Sequence, residues 1–328
     1  MNSAHHPRLR IAAINFLNPA PLMWDFEHPP LSAPLALRYQ IDRMSPSDCA
    51  ARLATGAADI GLVPIAALAT TPGLQILPGC TIASKGRVRS LLLVRRAAQP
   101  LTALRSVAAD IASRTTLAYA RILFHNWGNP DVPFVPLPAE LDAMLDQADA
   151  AILIGDPALL ALEERANRFE RTSEELVYHD LAWEWKSLTG LPFVSAVWGI
   201  ANNTPGAPGP DFRTWESTSQ ISGASGPSHL GTGESPGAPC LDSETWDSNI
   251  AHDFIQSRNH GLANIDALVA EWSAKLPIQE QTIRTYLTAN IHYILDEECL
   301  EGMRVFFRTA ADLRILPDYS VSVPALAF

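Results

Sequence analysis

The chain has 328 residues, of which 47% are hydrophobic and 18% are charged. This length provides for two domains with a core of normal depth. The formal net charge of −11 argues against a nucleic-acid-binding surface, because a phosphate backbone is bound by clustered Lys and Arg and the sequence has no basic stripe. The first residues are polar and no apolar run reaches about 18 residues, so we expect neither a secretion signal nor a membrane span.

The first third of the chain is predicted to alternate between strands and helices. Its predicted strands are the apolar or alternating runs 9–16, 37–44, 60–65 and 74–77. A helix is predicted after the second strand, because Ser45 can cap it, Pro46 suits its first position and Gly56 ends it. A strand, a helix and a strand within about thirty residues predict a right-handed parallel crossover.

A second α/β set follows. Its predicted strands are 106–110, 134–137 and 151–154, and its predicted helices are 113–127 and 139–147. Two further strands are predicted, one at 90–94 before this set and one at 193–200 after it. Two such sets predict two lobes with a ligand cleft between them. We assign residues 1–95 and 196–328 to lobe 1 and residues 96–195 to lobe 2.

The remaining segments differ in character. Residues 203–247 are crowded with Gly, Pro, Ser and Thr and have almost no aliphatic pattern, which predicts a flexible insertion in lobe 1. The C-terminal segment is predicted to be helical and to pack on a lobe. Its apolar positions recur at helical spacing in two stripes: Ile283, Leu287, Ile291 and Ile294, then Leu300, Met303, Phe306, Ala310 and Leu313.

The cysteine pattern bears on metals and on the redox environment. The four cysteines lie far apart and form no CxxC pair: Cys49, Cys80, Cys240 and Cys299. This spacing is typical of reduced thiols in a cytoplasmic protein rather than of a disulfide framework or a zinc site. The histidines form no HxxxH or HExxH pattern, so we expect no metal site.

Four segments together resemble one known family. They are Ile14–Leu22 (INFLNPAPL), Gly56–Ile65 (GAADIGLVPI), the predicted helix start Ser113–Thr116 (SRTT), and Leu181–Trp198, which contains EWK, TGLPFV and AVW. In order and spacing these segments resemble chorismate dehydratase of the futalosine route to menaquinone. The resemblance covers nearly the whole chain except about 203–247.

This resemblance implies a two-lobed α/β fold like that of class II periplasmic binding proteins, with C-terminal helices, in a cytoplasmic enzyme. The implied enzyme is a carbon–oxygen lyase that converts chorismate to 3-[(1-carboxyvinyl)oxy]benzoate and water. It would need no cofactor, and its partner would be a small molecule rather than a nucleic acid or a membrane. No feature of the sequence predicts an oligomeric state.

Two other functions stay open at this stage. One is a non-enzymatic solute-binding or sensor protein that binds a small anion. The other is 1,4-dihydroxy-6-naphthoate synthase of the same pathway. The first strand of that synthase typically ends in a Ser-Pro-Cys-Pro-Asn-Asp turn, whereas this chain has Asn-Phe-Leu-Asn-Pro-Ala-Pro-Leu, which favours the dehydratase.

The candidate site consists of neutral polar groups at strand ends and helix starts. Asn18 directly follows the first strand and is the predicted catalytic residue, although it could instead only close a turn before Pro19. The start of the 113–127 helix is predicted to receive an anion. The predicted substrate-binding residues are Ser84, Gly86, Ser113, Thr115, Thr116, Gly155 and Asp156.

The sequence shows no obvious general base. Our hypothesis is that the enolpyruvyl carboxylate of the substrate takes the proton while Asn18 positions it. Arg87, Arg89 and Arg114 are possible charge partners for the substrate carboxylates, although each could simply be solvated. The family usually has Ser-Asp-Gly where this chain has Ser84-Lys85-Gly86, so any role of an acid at that position is lost.

Overall fold

The computed structural model describes residues 8–110, 114–201 and 243–323. Within these ranges the chain forms two β-sheets flanked by helices. The strands are β1 (Leu9–Ile14), β2 (Tyr39–Met44), β3 (Ile60–Pro64), β4 (Leu74–Ser84), β5 (Leu91–Arg96), β6 (Val107–Ala109), β7 (Phe134–Pro136), β8 (Ala150–Ile154), β9 (Leu176–Asp180), β10 (Phe193–Ala201) and β11 (His292–Ile294).

Helices connect and cover these strands. The α-helices are α1 (Trp24–Glu27), α2 (Ser32–Leu35), α3 (Pro46–Ala54), α4 (Ala66–Thr70), α5 (Arg114–Asn126), α6 (Leu141–Gln147), α7 (Asp156–Glu163), α8 (Arg165–Thr172), α9 (Leu181–Thr189), α10 (Ser243–Ala263), α11 (Ile265–Ser273), α12 (Glu280–Thr285) and α13 (Glu297–Asp312). Short 3₁₀ helices span Ala20–Met23 and Leu101–Ala103, and a π-helical turn spans Tyr286–Asn290.

The first sheet has six strands in the order β11-β4-β10-β3-β1-β2. Strand β1 is parallel to both β2 and β3, so the parallel crossover predicted from the sequence is confirmed. Strand β10 returns from the second sheet and runs antiparallel to β3 and β4. This return strand is buried on both faces, which agrees with its continuous apolar sequence.

The second sheet has five strands in the order β7-β6-β8-β5-β9. Strand β6 is parallel to β7 and β8, whereas β5 is antiparallel to β8 and β9. The chain passes to this sheet at Leu91 and returns at Phe193. The predicted lobe boundaries at 95/96 and 195/196 fall within β5 and β10, and the division into lobes stays a prediction.

Helix α3, which follows β2, begins at the capping residue that the sequence predicts. The Ser45 hydroxyl accepts a hydrogen bond from the Asp48 amide at 3.2 Å, and Pro46 occupies the first helical position. Gly56 ends the segment at φ +69°, a conformation that glycine adopts without steric penalty. Pro46 at the start of this helix and Ile14 at the carboxyl end of β1 line the same cavity.

Strand β4 is much longer than the predicted run of 74–77. The Pro78-Gly79 pair looks like a strand-ending signal in the sequence. In the structure Gly79 has φ +90° and the pairing with β10 shifts register nearby, so the pair forms an irregularity within the strand. The strand then continues to Ser84 because both of its neighbours, β10 and β11, bond to it.

The predicted helical stripe from Ile283 to Ile294 is wrong in its second half. After α12 and the π-helical turn, residues 292–294 form β11, which pairs with the edge of β4. Ile294 is 46% exposed and does not belong to the core. Bonding to an open sheet edge and burying Ile291 and Tyr293 outweigh the local helical pattern.

Three further predictions concern the insertion, the cysteines and membrane spans. The predicted insertion 203–247 lies mostly outside the described residues, and its last part is corrected because α10 already begins at Ser243. The described cysteines, Cys49, Cys80 and Cys299, are free and buried. No helix within the described ranges is long and apolar enough to cross a membrane.

Candidate functional site

A cavity lies where the two sheets meet. Its wall includes the last residues of three strands: Ile14 of β1, Pro64 of β3 and Ile154 of β8. The carboxyl ends of parallel strands are the usual ligand-binding edge of α/β sheets. Most of the wall is apolar, and four polar side chains interrupt it: Asn18, Ser90, Thr116 and Ser195.

Two helix N-termini also reach the cavity. Pro46 at the first position of α3 and Thr116 in the first turn of α5 both line it. Unpaired backbone N–H groups and the helix dipole make such termini favourable for anions. Among the described residues that line the cavity, none carries a charged side chain. A bound anion would therefore be received by dipoles rather than by a salt bridge.

Phe16 and Gly155, which come from different sheets, meet in the wall of the cavity. Phe16 follows β1 of the first sheet, and Gly155 follows β8 of the second. Gly155 has φ +62° and ψ −140°, a conformation that is essentially restricted to glycine. A Cβ atom at this position would lie 2.7 Å from the Phe16 ring. The sequence predicted Gly155 as a site residue, and the structure places it in the cavity wall.

Asp156 joins the same two strand ends by a hydrogen bond. Its Oδ1 accepts from the Leu17 amide at 3.0 Å, and the residue is the first of α7. Burial raises the pKa of Asp156 to about 6, and the hydrogen bond from Leu17 opposes that shift. Asp156 stands directly behind Gly155 but does not line the cavity, so its visible role is to hold the Phe16 turn against α7.

This shift predicts a pH dependence of stability. The pKa of about 6 exceeds the usual value of 3.8, so the native state binds more protons than the unfolded state between these values. The contribution of Asp156 to the free energy of unfolding should therefore fall as pH rises through this window. Asparagine does not titrate, so Asp156→Asn lacks this loss. Between pH 4.5 and 7.5 the free energy of unfolding of Asp156→Asn, relative to that of wild type, should therefore rise by on the order of 2 kcal/mol.

Chemical denaturation of both proteins at the two pH values measures this gain. Glu164→Gln is the control, because Glu164 is an exposed carboxylate at the other end of α7. The same relative gain in the control, or none in Asp156→Asn, would contradict the assigned environment of Asp156.

Asn18 lies in the cavity wall, as its position after β1 predicted. The turn that follows is closed by backbone bonds, from the Ala20 amide to the Leu17 carbonyl and from the Leu22 amide to the Pro19 carbonyl. The side chain instead lies beside the phenol of Tyr286, within range of a polar interaction with it. Its Oδ1 is shielded from solvent and has no hydrogen-bond partner among the described residues. A buried acceptor without a partner is costly, which indicates a ligand donor at this point.

Ser90 is a cavity residue that the sequence did not single out. It is buried, lines the cavity and accepts a hydrogen bond from Tyr286 at 2.7 Å. In the sequence it looks like the first residue of the strand 90–94. The signal that could have marked it is a hydroxyl residue that directly precedes an apolar strand at a crossing between sheets.

The backbone before Ser90 is strained. Arg89 has φ +65°, which is unusual for a residue other than glycine. The Asp180 carboxylate accepts from the Arg89 amide at 2.7 Å and from the Trp183 amide at 3.1 Å. Because such strain persists only when neighbours hold it, Asp180 fixes the approach of the chain to Ser90.

The predicted anion-binding residues at the start of α5 differ in whether they line the cavity. Thr116 lines the cavity, as the prediction requires. Thr115 is buried next to it, but its hydroxyl accepts from the Ala66 amide at 3.0 Å and so joins α5 to α4. Ser113 lies outside the described residues. Arg114 is exposed at the first position of α5 and does not line the cavity.

Ser84 and Gly86 form a turn beside the cavity rather than its wall. The Ser84 hydroxyl donates to the Gly86 carbonyl at 3.1 Å and accepts from the Gly86 amide at 3.3 Å. Between them, Lys85 forms ion pairs of 2.8 Å with both Asp296 and Glu298 at the start of α13. The lysine that replaces the usual acid therefore anchors this turn to α13.

The candidate cations Arg87 and Arg89 do not reach the cavity wall. The Arg87 guanidinium lies over the Trp183 ring, 5.0 Å from its centre. The structure therefore does not bring the arginines suggested by the sequence to the cavity wall.

One cluster in the described part of the chain has the chemistry of a metal site. The ligand atoms of His292, Asp296 and Cys299 lie within 4.8 Å of one another. Asp296, however, also accepts from Lys85 at 2.8 Å and from the Cys299 amide at 3.0 Å. The ammonium of Lys85 already neutralises this carboxylate and would repel a cation, so these residues do not fit a metal ion.

Comparison with known proteins identifies the family and the fold. The chain matches the family described as "Menaquinone biosynthesis" over residues 9–220 and 242–312. It is similar to protein AF1704 from Archaeoglobus fulgidus, with a TM-score of 0.63 and 13% identity over 96% of this chain and 100% of that chain. It is also similar to the alkanesulfonate-binding protein SsuA from Xanthomonas axonopodis pv. citri bound to MOPS, with a TM-score of 0.60 and 14% identity over 96% of each chain.

A third similar structure is the Candida albicans CA3427 gene product, which is described as having the generic periplasmic binding protein fold. The TM-score is 0.58, with 14% identity over 96% of this chain and 92% of that chain. At these identities the likeness concerns the fold alone. The predicted α/β fold of the periplasmic-binding-protein type is confirmed.

Proposed function

Because this chain belongs to the menaquinone biosynthesis family, we propose that it is an enzyme of that pathway, a dehydratase that converts chorismate to 3-[(1-carboxyvinyl)oxy]benzoate and water. The family supports a biosynthetic role, and the binding-protein-like fold favours a small-molecule ligand. The observation that carries the specific proposal is the pair formed by Asn18 and Ser90 in a cavity whose wall is mostly apolar.

The proposed reaction requires few catalytic groups from the protein. Chorismate loses the proton at ring C3 and hydroxide at C4, and the electrons of the broken C–H bond complete the aromatic ring. The proton and the hydroxide together make one molecule of water. Aromatisation supplies the driving force, so the protein has to hold the dianion, orient the two leaving groups and exclude solvent.

The cavity provides groups for each of these tasks. The apolar wall suits the ring, and the N-termini of α3 and α5 suit the carboxylates. The Ser90 hydroxyl can donate to the departing C4 oxygen, and Asn18 Oδ1 can accept from the C4 hydroxyl before it leaves.

The proton acceptor in this proposal is the substrate itself. Among the described residues, no carboxylate or imidazole lines the cavity. The enolpyruvyl carboxylate is attached to C3 through the ether oxygen and can reach the proton on that carbon. The protein then contributes by fixing this arrangement, which can supply much of the acceleration.

Incubation of the purified protein with chorismate tests the proposal. We expect the cyclohexadiene absorption to disappear and a single aromatic product to form, with the mass of chorismate less one water. Saturable binding of chorismate without turnover would instead indicate a solute-binding or sensor protein of the same fold. Turnover only of the cyclic futalosine-derived intermediate would indicate the naphthoate synthase.

A further inference from the structure

Tyr286 places a buried phenol directly behind the two polar residues of the cavity. It is 1% exposed, and its hydroxyl donates to Ser90 Oγ at 2.7 Å. The Asn18 side chain also lies within range of a polar interaction with this phenol. Asn18 Oδ1 has no hydrogen-bond partner among the described residues, so Nδ2 is the amide atom left to interact with Tyr286. Tyr286 therefore touches both residues without lining the cavity itself.

Counting protons fixes the direction of each bond. A phenol has one proton, and Tyr286 gives it to Ser90, so toward Asn18 its oxygen can act only as an acceptor. Ser90 then keeps its own proton, which no other described side chain or carbonyl accepts. Beside Tyr286 the cavity wall therefore presents a donor, the Ser90 hydroxyl, and an unpartnered acceptor, Asn18 Oδ1.

The π-helical turn that contains Tyr286 contacts the loop before Ser90 at a second point, through the side chain of Asn290. Tyr286 begins the π-helical turn, and Asn290 ends it. Asn290 Nδ2 donates to the Arg87 carbonyl at 3.0 Å, three residues before Ser90. π-Helical turns are rare in proteins, and those that occur are often found at functional sites. The turn thus holds Ser90 both through the phenol and through the chain that leads to it.

We propose that Tyr286 is a positioning residue of the dehydratase, which orients the Ser90 hydroxyl and the Asn18 amide so that the substrate meets a donor and an acceptor in a fixed arrangement. The inference rests on the proposed function. No proton leaves Tyr286 in the reaction, and its hydroxyl remains bonded to Ser90 throughout. Its effect should therefore appear in the chemical step more than in substrate binding.

Steady-state kinetics with chorismate on wild type, Tyr286→Phe, Ser90→Ala and the double variant tests this role. We expect Tyr286→Phe to lower kcat about tenfold or more while KM changes by less than about threefold. In the double variant the two losses should not multiply, because the phenol acts on the reaction largely through Ser90.

Tyr293→Phe is the matched control. Tyr293 is also buried, and its hydroxyl has no hydrogen-bond partner among the described residues, so this variant should keep the wild-type kcat. Thermal unfolding of each variant sets an assay temperature below the lowest midpoint, which separates folding from activity. The positioning role is refuted if Tyr286→Phe keeps kcat within about twofold of wild type, or if the losses in the double variant multiply fully. A wild-type protein that leaves chorismate unchanged would instead refute the proposed function, and this inference with it.

Discussion

Asn18→Ala is expected to lower kcat for chorismate about 100-fold to 1000-fold, the usual effect of removing one polar group that stabilises a transition state. The Asn18 side chain lies beside the phenol of Tyr286, and its Oδ1 has no partner among the described residues. Alanine therefore removes both the contact with the phenol and the hydrogen-bond acceptor. The fold should survive, because the turn that contains Asn18 is closed by backbone bonds. Turnover and thermal unfolding of the purified variant measure the two effects separately.

Asn15→Ala is the matched control for this prediction. Asn15 belongs to the same turn, but its side chain is exposed and does not line the cavity. We expect its kcat to stay within about twofold of wild type. If Asn18→Ala retained full kcat with an intact fold, the assignment of Asn18 as the catalytic residue would be wrong.

Local sequence patterns predicted the elements that build the cavity better than the contacts inside it. Asn18 and Gly155 were found because each follows an apolar strand, and the carboxyl ends of strands in such sheets meet at one edge. Thr116 was found because helix starts favour anions. These are properties that neighbours in the sequence determine, and the structure places all three residues in the cavity wall.

Contacts between distant residues could not be predicted in this way. The importance of Ser90 depends on Tyr286, which lies 196 residues further along the chain. The sequence assigned Tyr286 to a region of continuous helix, whereas pairing of β11 with β4 ends that helix in a π-helical turn. Thr115 shows the reverse case, since the helix start that suggested ligand binding uses its hydroxyl to hold the Ala66 amide.

Gly155→Ala is expected to be the most destabilising single change at the site, at about 2–5 kcal/mol of unfolding free energy. Two independent penalties combine. The backbone at φ +62° and ψ −140° is strained for any residue with a Cβ, and that Cβ would lie 2.7 Å from the Phe16 ring. Displacing Phe16 would also deform the cavity, so KM for chorismate should rise. Chemical denaturation and steady-state kinetics measure the two consequences.

Gly190→Ala separates the two penalties. Gly190 also has a positive φ, +76°, but no atom lies within 4 Å of the point that a Cβ would occupy, so only backbone strain of about 1 kcal/mol is expected. Combining Gly155→Ala with Phe16→Ala gives the second test. If the ring is the obstacle, the double variant should be more stable than the sum of the two single losses implies, because the cavity left by Phe16 accommodates the new methyl group. Full additivity would show that Phe16 does not press on Gly155, and would remove the steric contact that joins the two strand ends at the cavity.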